Sequence, residues 1–127
     1  MENRALIIMA HGSRNAEANR EFTELTVSVA RHARGFNQVH AAFLELAEPS
    51  LEQAAASAVD QGATDILVYP MFFNQGKHVR QDIPGQVEQV RERFPQCSVQ
   101  LLDYFGTFDG LAATVAGHVH EQIMPGS

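Results

Sequence analysis

Two histidines follow apolar stretches that are typical of buried strands. His11 comes directly after the run from Ala5 to Ala10, and His78 follows the run from Ile66 to Phe73 across a glycine. In parallel sheets, polar residues at the carboxyl ends of neighbouring strands form ligand sites. Imidazole accepts protons near neutral pH and binds borderline divalent cations. A lone histidine more often has a structural role, and it is the placement of two at strand ends that indicates chemistry.

Glu45 is the third candidate, because it stands near the end of the second predicted strand where an apolar residue is expected. A carboxylate there costs free energy unless it is paired or bound to a metal ion. Glu48 precedes a proline in a loop, where exposure is normal. Together, His11, His78 and Glu45 would suit Co²⁺, Fe²⁺, Ni²⁺ or Zn²⁺, and they would equally serve as proton acceptors.

The elements that must position these residues are strands and helices in strict alternation. Apolar runs and alternating patterns predict strands over residues 5–10, 38–46, 66–73 and 98–102. The predicted helix starts are Ala16, Ser50 with Gln53 as a capping box, a cap at Asp82, and a cap at Asp109. In the last helix Leu111, Val115 and Val119 are predicted to face the core.

This alternation predicts an α/β fold in which residues 1–127 form a single domain. The expected architecture is a four-stranded parallel sheet with helices on both faces. The first and third strands are the most apolar and should be central, and right-handed crossovers then favour the order 2-1-3-4. His11 and His78 would lie at the switch point between those two strands, where ligands bind.

Composition excludes several classes of function. The chain of 127 residues carries a formal charge of −6 and has no lysine- or arginine-rich run, which argues against nucleic acid or an anionic membrane as partner. Cys97 is the only cysteine, so an internal disulfide and a thiolate metal cluster are excluded. No apolar run approaches the roughly 18 residues of a membrane span. We expect a cytoplasmic protein.

Other residue patterns favour less specific interpretations. Ser13 lies beside His11, but the Gly-x-Ser-x-Gly pattern of a nucleophile elbow is lacking, so a hydrolase is disfavoured. A nucleotide-binding or phosphoacceptor domain is disfavoured because there is no Gly-x-Gly-x-x-Gly and no aspartate ends the first strand. His118 and His120 are two residues apart in a predicted helix and point to different faces. His32 and His40 are expected to be structural or exposed to solvent.

Three segments together resemble one family, the small class II chelatases of the CbiX/SirB type, which are sirohydrochlorin cobaltochelatases and ferrochelatases. The matching segments are Ala10-His11-Gly12-Ser13-Arg14, Ala42 to Leu51, and Gly76 to Pro84, and the stretch from Gln61 to Ile66 matches as well. The resemblance covers essentially the whole chain. It implies a chelatase-like fold and a lyase that inserts a divalent metal into sirohydrochlorin in cobalamin or siroheme biosynthesis.

The resemblance also implies roles for individual residues. His11, Glu45 and His78 correspond to the residues that handle the metal and accept protons. Arg14, Lys77 and Arg80, with Ser13, flank the histidines and are expected to bind the carboxylates of the substrate. No cofactor is implied beyond the metal, which is a substrate. Short members of the family work as homodimers, and this chain resembles them.

The physiological metal is left open by these residues, since Co²⁺, Fe²⁺ and Ni²⁺ would all suit the same ligands. The single-domain form resembles the cobalt branch of the family, and this resemblance favours cobalt. A carrier that binds the metal or the tetrapyrrole without turnover is the alternative function.

Overall fold

The computed structural model describes residues 3–124, and its centre is a four-stranded sheet in which all strand pairs are parallel. The strands are β1 (Arg4–Ala10), β2 (Gln38–Phe43), β3 (Asp65–Pro70) and β4 (Ser98–Leu101). They lie in the order β2-β1-β3-β4, which confirms the predicted topology. The two most apolar strands, β1 and β3, are central as expected.

Four helices alternate with the strands. They are α1 (Ala16–His32), α2 (Leu51–Asp60), α3 (Lys77–Arg93) and α4 (Leu111–Ile123), and a short 3₁₀ turn (Phe105–Thr107) precedes α4. Within residues 3–124 no helix has the length and apolar character needed to cross a membrane.

The core lies between the sheet and the helices α2 and α3. Successive side chains of a strand point to opposite faces of the sheet, and on β1 the side chains of Ala5, Ile7 and Met9 are fully buried in this core. The helices contribute a row of buried side chains at helical spacing, namely Leu51, Ala54, Ala55, Ala58, Ile83, Val87 and Val90. The other face of β1, with Leu6 and Ile8, lies on the side of α1.

Local sequence signals fix the ends of two helices. Ser50 and Gln53 form the predicted capping box at the start of α2, with each side chain bonded to the other residue's backbone. Gly62, at φ +96°, ends that helix in a conformation that favours glycine. At the start of α1 the Asn15 side chain accepts hydrogen bonds from two backbone N–H groups.

The predicted start of the third helix was wrong. The helix begins at Lys77 after Gly76, which makes no side-chain cap bond, and it includes Asp82 and Pro84. An aspartate followed by a proline resembles a helix start, because proline is favoured in the first turn. Here the proline instead lies inside the helix, where its missing N–H and its ring are usually unfavourable.

The second and third strands are shorter than predicted. The strand β2 ends at Phe43, so Glu45 lies beyond it rather than inside it. The strand β3 ends at Pro70, although the backbone N–H of Met71 still donates to the carbonyl of Met9 at 2.8 Å. Leu46, three residues after the end of β2, has a left-handed backbone conformation with φ +67°.

The prediction for the last helix was also wrong in two respects. Gly110, not Asp109, occupies the cap position of α4. None of the residues of α4, all of which are described, is buried in the structure. Val115 and Val119 are exposed instead of facing the core.

Candidate functional site

The site is built by two loops that continue the pairing of β1 with β2. The backbone N–H of Leu44 donates to the carbonyl of Ala10 at 2.8 Å, and the N–H of Glu45 donates to the carbonyl of His11 at 3.0 Å. These bonds extend the ladder past the last strand residues. They place the side chains of His11 and Glu45 next to each other at the carboxyl ends of two neighbouring strands.

His11 and Glu45 make direct contact. The Nε2 atom of His11 lies 2.8 Å from Oε1 of Glu45. An ionised carboxylate only accepts hydrogen bonds, so Nε2 of the imidazole donates. In the neutral ring Nδ1 then carries the lone pair. That atom is available to accept a proton or to bind a metal ion.

Gly12 makes the close approach of these loops possible. It has φ +97°, and a Cβ atom added to it would lie 1.9 Å from the carbonyl oxygen of Glu45. Any other residue would therefore clash with the backbone of the opposite loop. The glycine between His11 and Ser13 is thus required by geometry.

The pair is open to solvent. The side chain of His11 is 52% exposed and that of Glu45 is 50% exposed. The expectation that Glu45 lies inside a strand end is wrong, because β2 ends at Phe43. The carboxylate is nevertheless paired, as expected, and its partner is His11. Phe72 contacts the ring of His11 edge to face, with ring centroids 6.4 Å apart. This aromatic side chain next to the imidazole was not identified from the sequence.

His78 forms a second pair of the same kind. It lies in the first turn of α3 rather than in a loop, and its Nε2 atom is 2.8 Å from Oδ2 of Asp82. The two residues are four apart on one helix and so face the same side. Sequence reasoning missed this role of Asp82, because the helix was predicted to begin there. The spacing of four would have revealed the pair if the helix start had been placed at Lys77.

The predicted residues His11, Glu45 and His78, together with Asp82, therefore form two carboxylate–imidazole pairs. Within residues 3–124 no three histidine, cysteine or acidic side chains lie close enough together to hold a metal ion. A shared ligand set of His11, Glu45 and His78 stays a prediction.

The predicted substrate-binding residues lie around these pairs. Arg14, Lys77 and Arg80 are exposed. Arg80 lines a cavity of about 360 Å³ beyond the ends of β3 and β4, where Asp103 and Tyr104 also contribute. A cationic side chain that lines a cavity is suited to bind an anionic group.

Ser13 has a structural role in its loop. Its Oγ atom accepts a hydrogen bond from the backbone N–H of Asn15 at 3.0 Å. Its backbone N–H donates to Oδ1 of Asn19, and the amide of Asn19 donates back to the carbonyl of Ser13. These bonds fix the turn between β1 and α1, and so they fix the direction in which His11 leaves the strand.

The remaining histidines lie elsewhere. His40 is half-buried in the edge strand β2, where Nε2 lies 2.7 Å from Oε1 of Gln38. Burial lowers the pKa of His40 below its usual value. His118 and His120 are exposed on α4, and His32 lies in the last turn of α1.

Comparison with known proteins identifies the family. A family model described as CbiX matches residues 5–122. The chain belongs to the CbiX family. Across 89 residues it is 33% identical to the sirohydrochlorin cobaltochelatase of Sulfolobus acidocaldarius, and the match covers 69% of each chain. It is 37% identical over 89 residues to the chloroplastic sirohydrochlorin ferrochelatase of Arabidopsis thaliana, covering 70% of this chain and 39% of that enzyme.

A solved structure gives the same result for the fold. The structure of SirB from Bacillus subtilis with Fe³⁺ has a TM-score of 0.84 and 28% identity, and the match covers 96% of this chain and 48% of that one. The match therefore covers less than half of SirB and of the plant ferrochelatase. The chelatase-like α/β fold expected from the resemblance is confirmed.

Proposed function

We propose that this CbiX-family protein is a chelatase that inserts a divalent metal into sirohydrochlorin. The observation that carries the proposal is the contact between Nε2 of His11 and Oε1 of Glu45 at 2.8 Å, at the carboxyl ends of adjacent strands. Insertion requires the macrocycle to lose two N–H protons while its nitrogen atoms bind the ion. A neutral imidazole oriented by a carboxylate is a suitable proton acceptor at neutral pH.

The openness of both pairs favours a large, flat substrate. His11 and Glu45 are about half exposed, and His78 is exposed more fully. A macrocycle placed over them would be reached by one imidazole from the end of β1 and one from the first turn of α3. We assign His11 and His78 to metal binding or proton acceptance, and Glu45 to the role of base or third ligand.

The cationic residues are proposed to bind the carboxylates of sirohydrochlorin. Arg14 follows His11, and Lys77 and Arg80 flank His78, so positive charge is concentrated near the imidazoles of a protein whose formal charge is −6. Neutralising Arg14 or Arg80 should raise the apparent KM more than it lowers kcat. Neutralising Arg31, which lies in the last turn of α1, is the control and should change neither.

A homodimer is part of the proposal. One such unit presents its two pairs on an open surface, and two units facing each other would enclose the macrocycle. We further propose that residues 1–127 act as one half-size chelatase domain in the cytoplasm, without a cofactor other than the substrate metal.

The test is an anaerobic insertion assay with sirohydrochlorin and, separately, Co²⁺, Fe²⁺ and Ni²⁺. The absorbance change is followed above the uncatalysed background for the parent protein, His11→Ala, His78→Ala and Glu45→Gln. We expect acceleration, with cobalt ranked first, and its loss in both alanine variants. His32→Ala is the matched control and should keep the full rate.

Two results would reject parts of the proposal. Folded protein that binds metal or sirohydrochlorin but accelerates no insertion would establish a carrier instead. Full activity in both His11→Ala and His78→Ala would remove the two pairs from the mechanism.

A further inference from the structure

A glutamine on α3 contacts the loop that carries Glu45. The side-chain amide of Gln86 donates from Nε2 to the carbonyl oxygen of Leu44 at 3.2 Å, in a partly buried position. The two residues are 42 positions apart in the chain, so the bond joins elements that are not neighbours in sequence. It lies outside both carboxylate–imidazole pairs, yet its acceptor is the residue directly before Glu45.

The peptide group between Leu44 and Glu45 is held from both sides. Its carbonyl accepts from Gln86, and its N–H donates to the carbonyl of His11 at 3.0 Å. In this trans peptide the two groups point in opposite directions, so the peptide connects α3 with the loop after β1. Hydrogen bonds in such a chain polarise and strengthen one another. Loss of the bond from Gln86 would therefore weaken the bond that keeps Glu45 beside His11.

Gln86 shares one side of α3 with the second pair. His78, Asp82 and Gln86 recur at intervals of four and so lie along that side. The helix is fixed in place by Ile83 and Val87, each of which is only 1% exposed in the core. One firmly packed element therefore holds His78 near its start and, about two turns later, donates to the loop of the first pair.

The loop that carries Glu45 needs to be held, because it contains a strained residue. Leu46 has φ +67°, which is unusual for a residue with a side chain, and it is 54% exposed. Such conformations persist only where surrounding contacts enforce them. Bonds to the loop after β1 hold this segment on one side, and the bond from Gln86 to Leu44 holds it on the other.

We propose that Gln86 is a positioning residue that sets the place of Glu45, and with it the place of the first pair relative to the second. Its side chain is directed at a backbone carbonyl rather than at either imidazole. It acts through the peptide before Glu45, while the same helix carries His78. Insertion at one macrocycle needs His11 and His78 in a fixed relation, because small displacements of reacting groups slow a reaction strongly. The inference rests on the proposed function.

Amide hydrogen exchange, measured by NMR on the full-length protein, tests the bond without reference to activity. Gln86→Ala removes the donor. Gln86→Glu keeps the size of the side chain but replaces the donor by a carboxylate oxygen, which only accepts. In both variants the amide of Glu45 should exchange about tenfold faster, because the chain of bonds that protects it is weakened. The amide of Ile7 in β1 should keep its parent rate, which shows that the fold is intact.

Gln89→Glu is the matched control for this experiment. Gln89 is exposed on the same helix and lines the same cavity of about 200 Å³ as Gln86, so the variant adds the same charge at the same place. It should leave the exchange of Glu45 unchanged. An unchanged exchange rate of Glu45 in Gln86→Ala, or an equal increase in Gln89→Glu, would overturn the inference.

The insertion assay tests whether the bond matters for the reaction. In Gln86→Ala and Gln86→Glu, kcat should fall about tenfold with the apparent KM for sirohydrochlorin unchanged, since a residue that bound the substrate would raise KM instead. In a Glu45→Gln background, Gln86→Ala should cause little further loss, because the group through which Gln86 acts is already altered. A further tenfold loss in that background, or a full kcat in Gln86→Ala, would overturn the positioning role.

The two experiments separate this inference from the proposed function. A folded parent protein that accelerates no insertion would reject the chelatase, and the exchange of Glu45 would still decide whether Gln86 holds the loop. Faster exchange of Glu45 with an unchanged insertion rate would leave the chelatase intact and reject the role of Gln86 in it.

Discussion

Replacing Gly12 with alanine should damage both the stability of the protein and its site. Gly12 has φ +97°, and the added Cβ would lie 1.9 Å from the carbonyl oxygen of Glu45. Real Cβ atoms stay at least 3.0 Å from such atoms, so the two loops must separate by about 1.1 Å. The bond from the N–H of Glu45 to the carbonyl of His11, now 3.0 Å long, would then be lost.

The expected cost has two parts. The left-handed conformation costs an alanine about 1–2 kcal/mol, and the lost hydrogen bond costs about 1 kcal/mol more, together with any strain that remains. We therefore expect the free energy of unfolding to fall by about 2–4 kcal/mol, measured by urea denaturation. Because the separation also moves His11 from Glu45, metal insertion should slow at least tenfold.

Gly35→Ala is the matched control. Gly35 has φ +83°, but nothing lies within 4 Å of the position of its Cβ. It therefore carries the conformational cost without the clash, and about 1–2 kcal/mol is expected with the insertion rate unchanged. Equal losses of stability and equal rates in the two variants would refute the argument that Gly12 permits contact between the loops.

Three further predictions concern side chains near the site and in the fold. Asp82→Ala should lower the insertion rate about tenfold, because it frees the ring of His78. Glu88→Ala on the same helix is the control and should leave the rate unchanged. Equal insertion rates in these two variants would show that the pair of His78 and Asp82 is incidental. Burial lowers the pKa of His40, so the unfolded chain binds a proton that the folded chain does not, and stability should decrease as the pH falls below about 6.5. In His40→Gln the decrease between pH 7.5 and 5.5 should be smaller, and an unchanged decrease would contradict this. Ser50→Ala removes the capping box of α2 and should lower the free energy of unfolding, measured by urea denaturation, by about 1 kcal/mol. An unchanged free energy of unfolding would contradict this prediction.

The topology could be predicted from the sequence because burial leaves a strong pattern. The runs from Ala5 to Ala10 and from Ile66 to Phe73 are apolar, as expected of strands covered on both faces, and this placed β1 and β3 at the centre. The capping box at Ser50 was found for a similar reason, since it depends on two residues three apart. Both features are local, and no distant part of the chain needs to be known to recognise them.

The features that were missed depend on contacts beyond the local sequence. The start of α3 was misplaced because Asp82 and Pro84 form a pattern that competes with the true start, and the cap at Gly76 offers no side-chain signal. For α4, the apolar spacing correctly predicted a helix. The spacing could not show that the rest of the chain leaves the apolar side of this helix, with Val115 and Val119, uncovered.

The two carboxylate–imidazole pairs explain how so small a sheet can present reactive groups. His11 and Glu45 are held by bonds that continue the strand ladder beyond β1 and β2, whereas His78 and Asp82 are held by the spacing of one helix. Both supports fix the backbone and leave the side chains open to solvent. In the first pair the carboxylate of Glu45 occupies Nε2 of His11 and leaves Nδ1 as the acceptor in the neutral ring, and in the second Oδ2 of Asp82 lies 2.8 Å from Nε2 of His78. A macrocycle that must lose two protons and gain one ion would therefore meet two oriented acceptors on rigid supports, and this need connects the geometry of the site to the proposed reaction.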